Sequence, residues 1–257
     1  MKMPVLFVGH GNPMNAIERN EFHLGWEDLA NRLPRPRAVL CVSAHWETRG
    51  VYATATDTPE TIHDFYGFPK ALFHVQYPAP GEPRLARRVV ELISNGCARL
   101  NCGRGLDHGA WSVLIAMYPA ADVPIVQLSL DTGQPGSFHY AIARQLAPLR
   151  HEGVLIVGSG NIVHNLRLFS FRDPKPLGWA VEFDAEIRRR ILARKHEDLM
   201  DYMSLGPNAA LAVPTPEHYF PLLYALALQE EGESVTFFNS RVQSAISMTS
   251  VLIDGAA

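Results

Sequence analysis

Cysteine is scarce in this sequence: three residues in 257, Cys41, Cys97 and Cys102. Three thiols build no disulfide framework, and Cys97 and Cys102 stand too far apart for a CxxC site. No apolar run reaches the ~20 residues that cross a bilayer. The N-terminal MKMPVLFVGHGNP has one lysine and too short an apolar stretch for a secretory signal. A basic stripe is missing as well. The net charge is -3, and Arg188, Arg189 and Arg190 fall in an amphipathic helix pattern as a solvated face. These absences argue against nucleic acid and membrane partners and point to a cytoplasmic protein. There is no HExxH helix. Gly158-Ser159-Gly160 is neither a GxSxG elbow nor a P-loop.

Apolar residues are plentiful, at 47% against 19% charged, enough for a full core. Short apolar, β-branched runs predict strands at Val5–Val8, Ala38–Ser43, Val51–Ala55, Val123–Leu130, Val154–Val157, Val235–Phe238 and Ile246–Ile253. Several are apolar at consecutive positions, as in strands covered on both faces. Helical spacing falls between them: Leu85, Val89 and Leu92; Phe138, Ile142, Leu146 and Leu149; Trp179, Phe183, Ile187 and Ile191. Alternating strands and helices predict an α/β fold, a three-layer α/β/α domain with a mixed, largely parallel central sheet. The last two strands, with no helix between them, are expected to pair antiparallel. Neither a repeat nor a linker divides the chain, so residues 1–257 read as one domain.

The eleven histidines are not scattered. The apolar runs beginning at Val5, Val39 and Val154 lead into His10, His45 and His164 respectively. Open α/β sheets bind ligands outside the carboxyl ends of their strands, so parallel strands bring these imidazoles to one edge. His108 precedes the apolar segment Ala110–Tyr118, and His218 stands at the expected start of the last long helix. Neutral imidazole is the commonest ligand for Fe, Zn and Cu. The glycines beside His10, His108 and in Gly158-Ser159-Gly160 suit tight turns and close approach. His63 either lines the pocket or pairs with Asp64. His23, His74, His139, His151 and His196 have no comparable setting.

Six motifs in order resemble one family. Gly9-His10-Gly11-Asn12-Pro13-Met14-Asn15 is similar to an N-terminal GHGSPMN segment. Ser43-Ala44-His45-Trp46, Thr61 to Pro69, Asp107-His108-Gly109-Ala110-Trp111, Asn161-Ile162-Val163-His164-Asn165 and Thr215-Pro216-Glu217-His218-Tyr219 follow. Together they resemble the LigB-type (class III) extradiol dioxygenases, in the DOPA 4,5-dioxygenase-like branch, from residue 4 to about 253. Asn12 and Tyr66 depart from the family's usual Ser and Gly.

The resemblance implies a LigB-like fold and a non-haem Fe(II) site with His10, His45 and His218 as ligands. It implies His164 as an acid/base residue or a fourth ligand, and His108 as a second polar group over the substrate. The substrate would be a small aromatic diol of the DOPA type, opened with O2 to a semialdehyde acid by a monomer or homodimer. An imidazole with its ordinary pKa near 6.5 exchanges protons near neutral pH. His63, Trp46, Phe65 and Tyr219 are expected in the pocket wall. Glu217 is the alternative third ligand, since neighbours on a helix point about 100° apart and only one of Glu217 and His218 can bind. An all-histidine site also suits Zn(II), so purified samples are expected to carry zinc. The rival reading is a zinc hydrolase on the same histidines, with Asp107 or Glu217 as base.

Overall fold

The computed structural model describes residues 2–93 and 96–255. Its strands are β1 (Val5–Gly9), β2 (Ala38–Thr48), β3 (Val51–Thr54), β4 (Ala98–Asn101), β5 (Ile125–Asp131), β6 (Val154–Gly160), β7 (Glu233–Phe238), β8 (Val242–Gln243), β9 (Ile246–Ser247) and β10 (Ser250–Gly255). The longer helices are α1 (Glu21–Arg32), α2 (Pro83–Leu92), α3 (His108–Met117), α4 (Gly136–Gln145), α5 (Gly178–Leu192) and α6 (Phe220–Ala227). Eight strands form one sheet in the order β4-β3-β5-β2-β6-β1-β10-β7. The central four, β5, β2, β6 and β1, run parallel. β10 pairs antiparallel with both β1 and β7, as the missing helix between the last strands requires.

Side-chain alternation on the central strands feeds two separate cores. Val5, Phe7, Leu40, Val42, Val154 and Ile156 face one layer, where α2, α4, α5 and α6 contribute Val89, Ile142, Ile187 and Leu223. Leu6, Val8, Val39, Cys41, Leu155 and Val157 face the other, against Trp26 of α1 and Trp111 and Leu114 of α3. Both faces are therefore dry, which is why these strands are apolar at every position. Side-chain caps set the start of two helices. Asn20 accepts from Phe22 and His23 at α1, and Asp107 accepts from Ala110 at α3. No helix among the described residues is long and apolar enough to cross a membrane.

Two predicted strands differ from the structure, and one strand of the eight-stranded sheet was not predicted. β2 does not stop at Ser43; its register against β5 shifts between Val42 and Glu47, and the strand continues through His45. The run Ile246–Ile253 divides into β9 and β10, because Ser247 and Met248 turn aside to donate to Val163 and Arg241. β4 has no counterpart among the predicted strands. It is a short edge strand whose Arg99 and Leu100 are exposed, so its sequence shows no burial pattern.

A buried ion pair fastens the antiparallel edge. Arg150 is fully buried; it donates to the carbonyls of Met3 and Leu228 and to both carboxylate oxygens of Glu233, at 3.0 and 2.5 Å. Lys2 adds a 2.7 Å contact to the same carboxylate. Burial alone would raise the Glu233 carboxyl, but the bonds from Arg150 and Lys2 outweigh it and hold it at about 2. A depressed carboxyl stabilises the fold fully above its unfolded value near 4.5, and that stabilisation fades as pH falls toward 2. Arg150→Met is expected to cost about 3 kcal/mol in urea unfolding. It should also flatten the loss of stability between pH 4.5 and 2.

Candidate metal centre

The register of the sheet converges the histidines. Ser159 on β6 lies level with Val8 on β1 and with Ser43 on β2. His10 stands two residues beyond Val8, on the same face since side chains alternate, and the register shift of β2 between Val42 and Glu47 brings His45 to it. They meet with Nε2 atoms 3.1 Å apart. His218 arrives from the turn before α6, with its ring centroid 5.3 Å from that of His10 and 4.9 Å from that of His45. One nitrogen from each of the three lies within 4.8 Å of the others.

Glycines admit the loop that carries His218. A Cβ on Gly158 would lie 2.2 Å from the Pro221 carbonyl oxygen, and one on Gly160 2.1 Å from that of His218. The Asn161 N–H donates to the same His218 carbonyl at 2.8 Å, and its side chain donates to Ser247 at 2.7 Å. Gly158-Ser159-Gly160 is thus a strand stripped of side chains on the face where His218 docks, and not a turn. Gly160→Ala is expected to displace His218 and weaken divalent-metal binding about 10- to 100-fold. Gly178→Ala, where a Cβ meets open space, should leave it unchanged; competition with a chromophoric chelator measures both.

Hydrogen bonds fix which nitrogen faces the centre. The Ser159 hydroxyl donates to the Gly109 carbonyl at 2.5 Å, so it accepts at 3.0 Å from the Nδ1–H of His10. The Nδ1–H of His218 donates to Glu217 Oε1 at 3.0 Å. In both rings the lone pair is left on Nε2, and the buried Nε2 of His218 has no partner at all. Burial first, and then the neighbouring imidazoles, push the His10, His45 and His218 rings well below their ordinary pKa, which keeps them neutral and ligating. Two nitrogens each about 2.1 Å from one ion, at 90–110°, lie roughly 3.0–3.4 Å apart. The 3.1 Å separation of His10 and His45 and the orphaned His218 nitrogen both fit a single bound cation.

His164 stacks on His218, with ring centroids 3.5 Å apart and planes 10° from parallel. It groups with His218 and Glu217, outside the His10–His45–His218 set. Burial first, then the His108 charge, push His164 down to about 4, well below the ordinary value expected for it from the sequence. His108 sits 3.9 Å from His45, ring to ring. Its backbone N–H and its Nδ1–H both donate to Asp64 Oδ1, at 2.9 and 3.0 Å, which leaves Nε2 free. Burial raises the Asp64 carboxyl, but these His108 bonds win and hold it at about 2.

Above the histidines opens a cavity of about 760 Å³, lined by His10, His45, His108, His164 and His218. Asn12, Met14, Asp64, Phe65, Tyr66, Phe68, Leu166, Phe169, Phe171 and Ile246 complete its wall. Of the residues expected to contact substrate, Phe65 lines this space, whereas His63, Trp46 and Tyr219 do not. His63 shares Nε2 with the Val75 carbonyl at 2.9 Å and packs on Trp111. Trp46 is buried beneath the Arg104 guanidinium. Tyr219 is fully buried and donates to the Leu199 carbonyl at 3.1 Å. Asn161 and the Leu166–Phe171 wall were not anticipated. Asn161 opens one of the six family motifs and directly follows an apolar strand, but neither signal gives its docking role.

Comparison with known proteins agrees with this geometry. Residues 4–250 match the family of the catalytic LigB subunit of aromatic ring-opening dioxygenase. A 4,5-DOPA dioxygenase extradiol from Escherichia coli (strain K12) is 45% identical over 98% of this chain and 95% of its own. Another, from Beta vulgaris, is 38% identical over 91% and 90%. The crystal structure of an uncharacterized protein from Escherichia coli K12 matches with a TM-score of 0.87 at 41% identity, covering 98% of this chain and 100% of that one. With a histidine cluster suited to a metal at the carboxyl edge of its sheet, the chain belongs to the LigB family of class III extradiol ring-opening dioxygenases, in the branch of the 4,5-DOPA dioxygenases.

Proposed function

We propose that the protein opens the ring of a DOPA-like catechol with O2 at one Fe(II) held by His10, His45 and His218, giving a semialdehyde acid. The observation that carries this reading is the convergence of three neutral imidazoles, one with an orphaned buried nitrogen, at the floor of an aromatic-walled cavity. Fe(II) held by these three histidines would supply electron transfer between catechol and dioxygen. Phe65, Phe68 and Phe169 give the wall an apolar aromatic surface against which a flat ring packs. His164, neutral at physiological pH, accepts a proton from a catechol hydroxyl. His108, its Nδ1–H spent on Asp64, presents Nε2 as the second group that moves a proton. Glu217 serves behind His218, orienting it, rather than as the ligand itself.

A zinc hydrolase would need a base above the metal. Asp107 is buried beneath Ser43 and Gln127 and caps α3. Glu217 is engaged by His218 and Thr215. Neither lines the cavity. The two metals separate the readings. Protein loaded with Fe(II) is expected to consume O2 with catechols, and protein loaded with Zn(II) to do nothing with catechols or with esters. Ester hydrolysis by the zinc form, with no oxygen uptake by the iron form, would overturn the proposal.

A further inference from the structure

The cavity wall carries an uneven charge. Apart from imidazoles, its polar side chains are Asn12, Asp64 and Tyr66; among the described residues no lysine or arginine lines it. Asn12 Oδ1 is turned back onto the Met14 N–H at 2.9 Å. Asp64 spends Oδ1 on His108, but its Oδ2 lies 3.7 Å from His45 Nδ1, beyond hydrogen-bonding distance. That oxygen keeps its accepting capacity, on a side chain 22% accessible. The remaining wall is aromatic, with Phe65, Phe68 and Phe171 among its rings. Arg167 and Arg172 follow wall residues in the chain, yet both are exposed and outside the lining.

Building on the catechol reading above, we propose that Asp64 selects substrate by the charge of the catechol's side chain, favouring a cationic amine and rejecting a free carboxylate. The two charges of a divalent ion are met by a catechol that has lost its protons. Asp64 is the only carboxylate among the described lining residues, and the Oδ2 not spent on His108 offers its negative charge to a tail lying against this wall. A carboxylate tail meets repulsion and loses hydration without gaining a cationic partner. An ammonium tail meets attraction and aromatic faces on which a cation rests favourably. The like-charge penalty at such close quarters reaches a factor of about ten or more.

Dopamine, DOPA and hydrocaffeate (3,4-dihydroxyphenylpropanoate) share the ring and a two-carbon link, and carry a cation, a zwitterion and an anion. Their kcat/KM on the Fe(II)-loaded enzyme, with anaerobic Kd measured alongside, is expected to fall in that order. The span should be about tenfold or more and should appear mainly in KM and Kd. Asp64→Asn should shrink the span to within about threefold, a ratio insensitive to any general loss of rate. Phe171→Lys places a cation at the exposed rim, far from the histidine bonds of Asp64. It should raise hydrocaffeate about fivefold against dopamine. Hydrocaffeate equal to or better than dopamine in the unaltered enzyme overturns the proposal, as does a span that neither variant changes. Turnover of none of the three overturns the ring-opening reading instead.

Discussion

His10→Ala is expected to leave the protein folded and without its metal, with affinity reduced more than about 100-fold. Loss of a group that merely supports a ligand costs about 10- to 100-fold, so loss of the ligand itself should exceed that range. The position tolerates truncation because His10 lies at the end of β1, beyond the apolar ladder that builds the sheet. Removing its ring relieves the crowding of buried imidazoles that pushes all three below their ordinary pKa. Ser159→Ala, which removes only the acceptor for His10 Nδ1–H, should fall in the supporting range. Bound metal per chain by atomic absorption, with circular dichroism as the folding control, distinguishes the two. Full occupancy in His10→Ala would exclude it as a ligand.

His164→Ala is expected to behave in the opposite way, keeping the metal and losing turnover by ~100-fold or more. Its ring lies flat against His218 and outside the set formed with His10 and His45. Its backbone is held independently, by donation to the Ala212 carbonyl at 2.8 Å, so the loop should stay in place without the side chain. With the ring neutral down to about pH 4, it is a ready proton acceptor throughout the neutral range. Its low basicity makes it a modest one. Steady-state turnover at measured iron content tests this. Unchanged turnover would transfer the proton to His108, whose own alanine variant should then show the larger loss.

The parallel core and most of the site were readable because their signals are local and periodic. Apolar runs with two buried faces mark β1, β2 and β6, and the carboxyl-edge rule places His10 and His164. His45 was reached for a slightly wrong reason, since a bulge and not a strand end turns it into the site. Three of the expected wall residues lie outside the cavity lining. Trp46, Tyr219 and His63 are chain neighbours of His45, His218 and Asp64. Neighbours on extended backbone point to opposite sides, which sends Trp46 inward beside His45; Tyr219 is fully buried as well, and His63 is half-buried against Trp111. Leu166, Phe169 and Phe171 come from an irregular segment with no periodicity to reveal its facing. The docking role of Gly158 and Gly160 depends on a loop some sixty residues away in sequence, a contact no local pattern can contain.

The most direct measurement begins with metal-free protein reconstituted anaerobically with Fe(II), one ion per chain, and given a catechol before oxygen is admitted. One O2 should be consumed for each catechol lost, with a yellow ring-opened semialdehyde growing in at the same rate, and with no uptake in the His10→Ala protein. Absence of oxygen uptake despite a full complement of iron, across cationic, zwitterionic and anionic catechols alike, would contradict ring opening at this histidine centre.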